Sequence, residues 1–172
     1  SSQTPLPPLT RVALLLKSSL TAYLDPTSAH DVAATIDLTS THALSVLHSR
    51  LSGSPSYERL LRERPSVLES SASSDGGAAY PPLSLGRAHG AFLSSHSFSL
   101  SSRPPTRYAS CSRDAYLLTR YRTCHDYYHV LYGVEPTVLG EVILKRVEHD
   151  EFGLPAQYLQ AVVKGAGLRG RE

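Results

Sequence analysis

The sequence contains no methionine, only two cysteines and three lysines, and a formal charge of just +2. Each scarcity narrows the field. Cys111 and Cys124 are too few for the disulfide framework of a small secreted domain, so both are expected to be free thiols in a reducing compartment. The small charge leaves no electrostatic footprint for nucleic acid, and no run of Lys and Arg alternates with aromatics, so nucleic acid is not an expected partner. Long apolar runs are missing too. Val12 to Leu16, closed by Lys17, is too short to span a bilayer or to serve as a signal peptide. With no methionine at position 1, Ser1 is expected to be a processed or artificially set start, as removal of a targeting peptide would leave.

What is present is enough for a folded protein. A chain of 172 residues with 41% hydrophobic and 19% charged residues can bury one core despite its many serines, so a single domain over residues 1–172 is expected. The periodicities read as all-α. Behind Pro5, Pro7 and Pro8, the residues Leu9, Val12, Leu16, Leu20 and Tyr23 recur at helical spacing until Asp25 and Pro26. This first helix is expected to pack into the core, with a lipid interface as the alternative. Thr39-Ser40-Thr41 starts another helix, with Leu44, Leu47 and Leu51 on one face and Gly53-Ser54-Pro55 as its stop, and Tyr57 to Arg64 forms a short third one. The Ser- and Pro-rich stretches 70–84 and 94–107 read as loops, although Ala91 to Leu100 has room for a short extended piece.

The informative stretch lies between 114 and 152, where the pattern predicts a helix-turn-helix hairpin. Asp114 is a natural N-cap and Gly133 a natural C-terminal stop; Pro136 and Thr137 then start a second helix that runs to Gly153-Leu154-Pro155. Leu118, Tyr121, His125, Tyr128, His129 and Tyr132 fall at steps of three and four, so two histidines share the face that the first of these helices should bury.

Histidines four apart on a helix point the same way, which suits them to grip one metal ion. Asp126, three residues from His129, is close enough to be a third ligand, to orient an imidazole, or to act as acid or base. The same pair also reads as core histidines whose nitrogens find carbonyl or tyrosine partners. Helical phase places Glu141 with Lys145 and Glu148, opposite Leu139, Ile143 and Val147, as on an ordinary solvated face, unless the turn swings that stripe toward the histidines. His149, Asp150 and Glu151 read as a capping or surface cluster. Cys124, about 100° around the helix from His125, reads as a buried thiol rather than a ligand.

The motif His125-Asp126-x-x-His129, followed twelve positions later by Glu141, resembles the mark of the fourth coenzyme Q biosynthesis protein family. The blocks LLRERPSV at 60–67, LGRAHGAF at 85–92, RPPTRY at 103–108 and LGEVILKRVEHDEFGLP at 139–155 resemble family blocks in the same order, as does the stretch HDVAATIDLTSTHAL. The resemblance implies a metal site of His125, Asp126, His129 and Glu141, with zinc or another divalent ion, and Asp126 as the catalytic acid or base. It implies a protein peripheral to the matrix face of the mitochondrial inner membrane, with a pocket for a polyprenylated quinone precursor and with other coenzyme Q biosynthesis proteins as partners. The associated chemistry is removal of the carboxyl group at carbon 1 of a polyprenyl benzoate ring, coupled to hydroxylation there, a lyase-type step. Against that pattern the chain reads as C-terminally shortened, without the family's further helices. Arg146, His149, Asp150 and Glu151 replace expected apolar or small residues, which suits a surface that contacts a partner. Two other functions compete: a non-catalytic relative serving as a structural subunit of a larger mitochondrial membrane complex, such as a respiratory one, and a metal-dependent hydrolase using Asp126 as base.

Overall fold

The computed structural model describes residues 6–25, 28–67, 77–99 and 103–169. Among these the protein is all-α: α1 (Pro8–Leu24), α2 (Ala29–Thr39), α3 (Thr41–Leu51), α4 (Pro55–Glu63), α5 (Leu85–His96), α6 (Ser112–Tyr132), α7 (Val138–Phe152) and α8 (Pro155–Arg169). The boundaries of α1, α3, α4 and α7 and the C-terminal end of α6 follow the local signals, but α6 begins at Ser112 with Cys111 at the cap position, so the expected N-cap Asp114 lies inside its first turn, paired with Arg113. Proline opens α1 and α4, where its missing N–H costs nothing and its fixed φ suits the first turn. Gly133 ends α6 in the left-handed region at φ 62°, and its N–H donates to His129 O and Val130 O. The Thr137 side chain then caps α7 by accepting from the Gly140 N–H at 3.1 Å.

Three helices were not legible as such. α2 lacks an apolar stripe because its buried residues are Ala33, Thr35, Ile36, Asp37 and Leu38. α5 replaces the expected extended piece at Ala91 to Leu100 and takes Ser94 to His96 out of the expected loop at 94–107. Its small residues hide the period, but Ser84 caps it, accepting from the Arg87 N–H, and His89, Gly90 and Leu93 are buried. α8 occupies a segment without an expected element and buries Ala156, Gln157 and Ala161. Of the expected loop at 70–84, residues 70–76 lie outside the described residues, and 77–84 form turns.

The core gathers Ile36 from α2, Ala43 and Leu44 from α3, Leu118 from α6, and Leu154 and Ala156 at the α7–α8 junction, with Tyr121 and Phe152 packed on it. A buried ion pair locks the surrounding pieces together. Arg122 on α6 donates to the Asp37 carboxylate and to Ala33 O on α2, and Asp37 also accepts the N–H groups of Arg107 and Tyr108. Such a pair is tolerated inside a protein when most of its remaining donors and acceptors are met, and here only Arg122 Nε, among the described atoms of the pair, is buried without a partner. It fixes the segment from Arg103 to Tyr108 against α2 and α6.

Two helices turn apolar residues outward. On α1 the stripe Leu9, Val12, Leu16, Leu20 and Tyr23 is exposed, while Ser18 is buried and the helix packs on α2. The expectation that this stripe enters the core is therefore corrected: the less exposed side of α1 carries Leu14, Leu15, Ser18 and Ala22, and the Arg11 guanidinium donates to Leu38 O at 2.8 Å. On α7, Val138, Leu139 and Ile143 are exposed, whereas Lys145 and Glu148 are buried.

Candidate metal centre

The inverted polarity of α7 creates the site. Glu141, Lys145 and Glu148, expected on a solvated face, point into the protein toward α6, and the apolar residues Leu139 and Ile143 take the outside. The turn that joins the helices swings this stripe inward. Gly140 permits the close crossing, since a Cβ there would lie 1.9 Å from Glu135 O.

On α6, His125 and His129 are each held by the nitrogen that faces away from Glu141. His125 Nδ1 donates to Glu148 Oε1 at 2.6 Å. His129 Nδ1 donates to the carbonyl of Val134 at 2.8 Å, which turns Nε2 toward Glu141, where it donates to the carboxylate when protonated and offers a lone pair to a cation when it is not. Both Nε2 atoms converge on Glu141 Oε1, at 3.6 Å from His125 and 3.1 Å from His129. The three possible ligand atoms lie within 4.8 Å of one another. Ligands about 2.0–2.2 Å from a tetrahedral ion sit at comparable mutual spacing, so the donor set fits zinc or another divalent ion with an open position. The anchoring of each Nδ1 is what metal-binding histidines typically require.

In the metal-free protein the electrostatics keep Glu141 ionised and favour a proton on His125. Burial alone would raise Glu141, but hydrogen bonds from His125 and His129 and the charge of Lys145 hold it well below the usual carboxylate range. For His125 burial works toward the neutral form, yet the carboxylates of Glu141 and Glu148 outweigh it and raise the imidazole above its ordinary value. Glu148 also accepts from the Tyr121 hydroxyl at 2.6 Å, and burial followed by that negative neighbour pushes the phenol well up.

Asp126 stands elsewhere. Its buried carboxylate accepts from the Arg103 guanidinium through Oδ1, its Oδ2 has no hydrogen-bond partner, and it is not in the three-residue group among the described residues. Beside it, α5 closes the site. His89 is fully buried, stacked on Tyr127 at 3.5 Å, with neither ring nitrogen bonded; burial lowers its pKa, opposed by the charge of Asp126. Phe92 stacks on His129 at 5.5 Å. Of the flanking residues, His149 binds Leu154 O at 3.0 Å and Asp150 pairs with Arg146 on the surface, while both cysteines are free, with the Cys124 thiol raised by burial.

Glu148, Lys145, Tyr121 and Arg103 were not singled out from the sequence. Glu148 was the most findable, since it lies two helical turns beyond Glu141 on the same face. Two cavities flank these residues and share Tyr121 as wall. One, of about 200 Å3, is lined by apolar side chains such as Leu44, Leu47, Leu60, Leu117 and Phe152. The other, of about 120 Å3, opens beside His125 between α2, α6, α7 and α8.

Comparison with known proteins gives a consistent result. The profile of the family described as "Coenzyme Q (ubiquinone) biosynthesis protein Coq4" matches residues 1–172. The chain is 34% identical over 151 residues to the "Ubiquinone biosynthesis protein COQ4 homolog, mitochondrial" of Cryptosporidium parvum, covering 88% of this chain and 49% of that protein. It is 33% identical over 168 residues to the "Ubiquinone biosynthesis protein COQ4, mitochondrial" of Arthroderma otae, covering 94% and 62%, and 32% identical over 168 residues to the rat homologue, covering 97% and 63%. The chain thus spans between half and two-thirds of the length of these relatives. No solved structure matches.

Proposed function

Because the chain belongs to the coenzyme Q (ubiquinone) biosynthesis family Coq4, we propose that it is a mitochondrial protein that holds a divalent ion at His125, His129 and Glu141 and handles a polyprenylated benzoate precursor there. The observation that carries this reading is the convergence of both Nε2 atoms on Glu141 while each Nδ1 is separately anchored. The proposed reaction is removal of the ring carboxyl at carbon 1 as carbon dioxide and its replacement by a hydroxyl, a two-electron oxidation for which dioxygen is the proposed co-substrate, supplying the oxygen atom and taking up the electrons. A bound zinc or other divalent ion supplies Lewis acidity toward a ring oxygen.

The chain's own groups do the rest. Glu148 holds His125 in the tautomer that presents Nε2, and the Val134 carbonyl does so for His129. Asp126 acts as a positioning residue, fixing Arg103 at the edge of the 120 Å3 cavity, and its Oδ2 has no hydrogen-bond partner. The apolar 200 Å3 cavity suits part of a polyprenyl tail, with Tyr121 between tail and ring. No helix among the described residues is long and apolar enough to cross a membrane, but the outward stripe of α1 suits the surface of a lipid bilayer. That supports peripheral contact with a membrane, and the matrix side of the inner membrane is the proposed location. Other coenzyme Q biosynthesis proteins are the proposed partners of an assembly that this protein helps to organise.

A second reading rests on the exposed apolar face of α7. Val138, Leu139 and Ile143 suit docking into a larger mitochondrial complex in which the chain is a structural subunit without catalysis. Elemental analysis of natively purified protein beside a His125→Ala, His129→Ala variant, with mass spectrometry of the lipid extracts, separates the two. Near-stoichiometric metal lost in the variant, together with a polyprenylated ring in the extract, supports the biosynthetic reading. Metal-free, lipid-free protein overturns it in favour of the structural subunit.

A further inference from the structure

The cavity beside His125 has walls of two kinds. On the α2 side it is lined by Val32, Ala33 and Ile36, and on the other by His125, Lys145 and Gln157, with Arg103 at its rim. Its volume of about 120 Å3 approaches the roughly 150 Å3 of a dry cavity that accepts benzene, and because it is open it can take part of a ring with the remainder at its mouth. Apolar side chains facing a few polar groups form the kind of wall that a flat, substituted ring meets well.

The polar groups are unequally matched. Of the three cations that line the cavity, Arg122 is neutralised by Asp37 and Arg103 by Asp126. Lys145 is buried, and its ion-pair partner among the described residues is Glu141 at 3.5 Å. That carboxylate is already shared with His125 and His129. An ammonium carries three donors, so Lys145 retains capacity for a second anion at the wall of this cavity. Gln157 is 1% exposed; its amide nitrogen donates to the Tyr121 hydroxyl, while its Oε1 has no hydrogen-bond partner. A buried, unmet acceptor calls for a donor, and leaving it unmet is costly.

We infer that this cavity is the seat of a hydroxybenzoate ring, in which Lys145 pairs with the ring carboxylate and Gln157 Oε1 accepts from a ring hydroxyl. The inference rests on the biosynthetic reading above and adds to it two residues that determine specificity without holding the metal. The carboxylate is thereby placed beside the metal centre, because Lys145 bridges the cavity and Glu141. An aliphatic acid of similar size lacks the flat face for the α2 wall, and a ring ester lacks the charge for Lys145.

The test measures binding of 4-hydroxybenzoate, its methyl ester and 4-methoxybenzoate by calorimetry, to metal-loaded protein and to protein stripped by a chelator. It uses wild type, Lys145→Met, Lys145→Arg and Gln157→Leu, with helicity checked by circular dichroism and metal content by elemental analysis. Wild type is expected to prefer the acid over the ester by about tenfold or more even when stripped, as a charge-assisted hydrogen bond provides. Lys145→Met erases that preference and Lys145→Arg restores part of it; Gln157→Leu lowers the preference for the phenol over the methoxy ring by roughly fivefold. The assignment is overturned if stripped wild type does not distinguish acid from ester, if Lys145→Met distinguishes them equally well, or if neither form of wild type binds the acid. Failure of the parent reading shows separately, as native protein without metal or polyprenylated ring.

Discussion

Around Leu118, α6 packs as core helices usually do, against Ile36, Leu44 and Leu154 with Ala115 and Leu117 beside it. Two turns further along, the same helix buries His125, Asp126 and His129, each against a partner of opposite or complementary character. The first half gains stability from area removed from water. The second half must offset desolvation of several ionisable groups before it contributes anything. A helix uniform along its length would not place charges where apolar packing is cheaper, so the difference marks the C-terminal half of α6 as the end that carries the candidate site.

The sharpest way to break this comparison is His129→Ala. It is expected to lower metal affinity by more than a hundredfold, read by competition with a chromogenic chelator, while the apolar half of the helix leaves the far-ultraviolet dichroism nearly unchanged. Leu118→Ala should do the reverse. A fully buried leucine truncated to alanine costs about 2–5 kcal/mol, read by urea unfolding, with metal content per folded molecule retained. Equal effects of both variants on metal and stability would erase the distinction between the two halves.

Glu148→Gln probes the layer behind the ligands. Loss of the charge that orients His125 should weaken metal binding about ten- to hundredfold in the same chelator competition, with smaller change in unfolding. A pH titration of metal affinity sharpens the point further. In the metal-free protein His125 is raised above its ordinary value, so a proton competes with the metal from above about pH 6.5 downward, and affinity should fall by roughly tenfold per pH unit once His125 is protonated. The sign for stability is opposite. His125 contributes stability to the metal-free fold that is fully present below about pH 6.5 and is lost as pH rises through its raised folded value. The depressed Glu141 contributes above the ordinary carboxylate range and loses its contribution as the solution becomes strongly acidic. Smallest is Leu139→Ser on the outward face of α7, expected to change the unfolding free energy of the isolated protein by less than about 0.5 kcal/mol. A large loss would mean that this face is covered.

These contrasts also explain what could be read from the sequence. Helix ends were legible wherever proline, threonine or glycine imposed them, as at Pro8, Thr137 and Gly133. The paired histidines were legible because a four-residue step fixes their common direction. Glu141 was ambiguous because helical phase separates two faces without saying which one meets water; on α7 the tertiary turn decides, and it decides against the usual polarity. α2 and α5 escaped notice since their buried faces rely on Ala33, Thr35 and Asp37, or on His89 and Gly90, rather than on a leucine stripe. The partnership of Asp126 with Arg103 joins residues 23 apart across an irregular segment, for which periodicity offers no signal.

The two histidines are oriented by different kinds of acceptor: a carboxylate side chain for His125 and a main-chain carbonyl for His129. A side chain can be exchanged by a single codon; a peptide carbonyl cannot be deleted, only moved with the backbone. His129 therefore keeps its aim in any descendant that retains the shape of the turn after Gly133, whereas the basicity of His125 is open to tuning at position 148 alone. The centre combines one inherited ligand with one adjustable ligand, and drift in metal preference would be traced most readily to substitutions at Glu148.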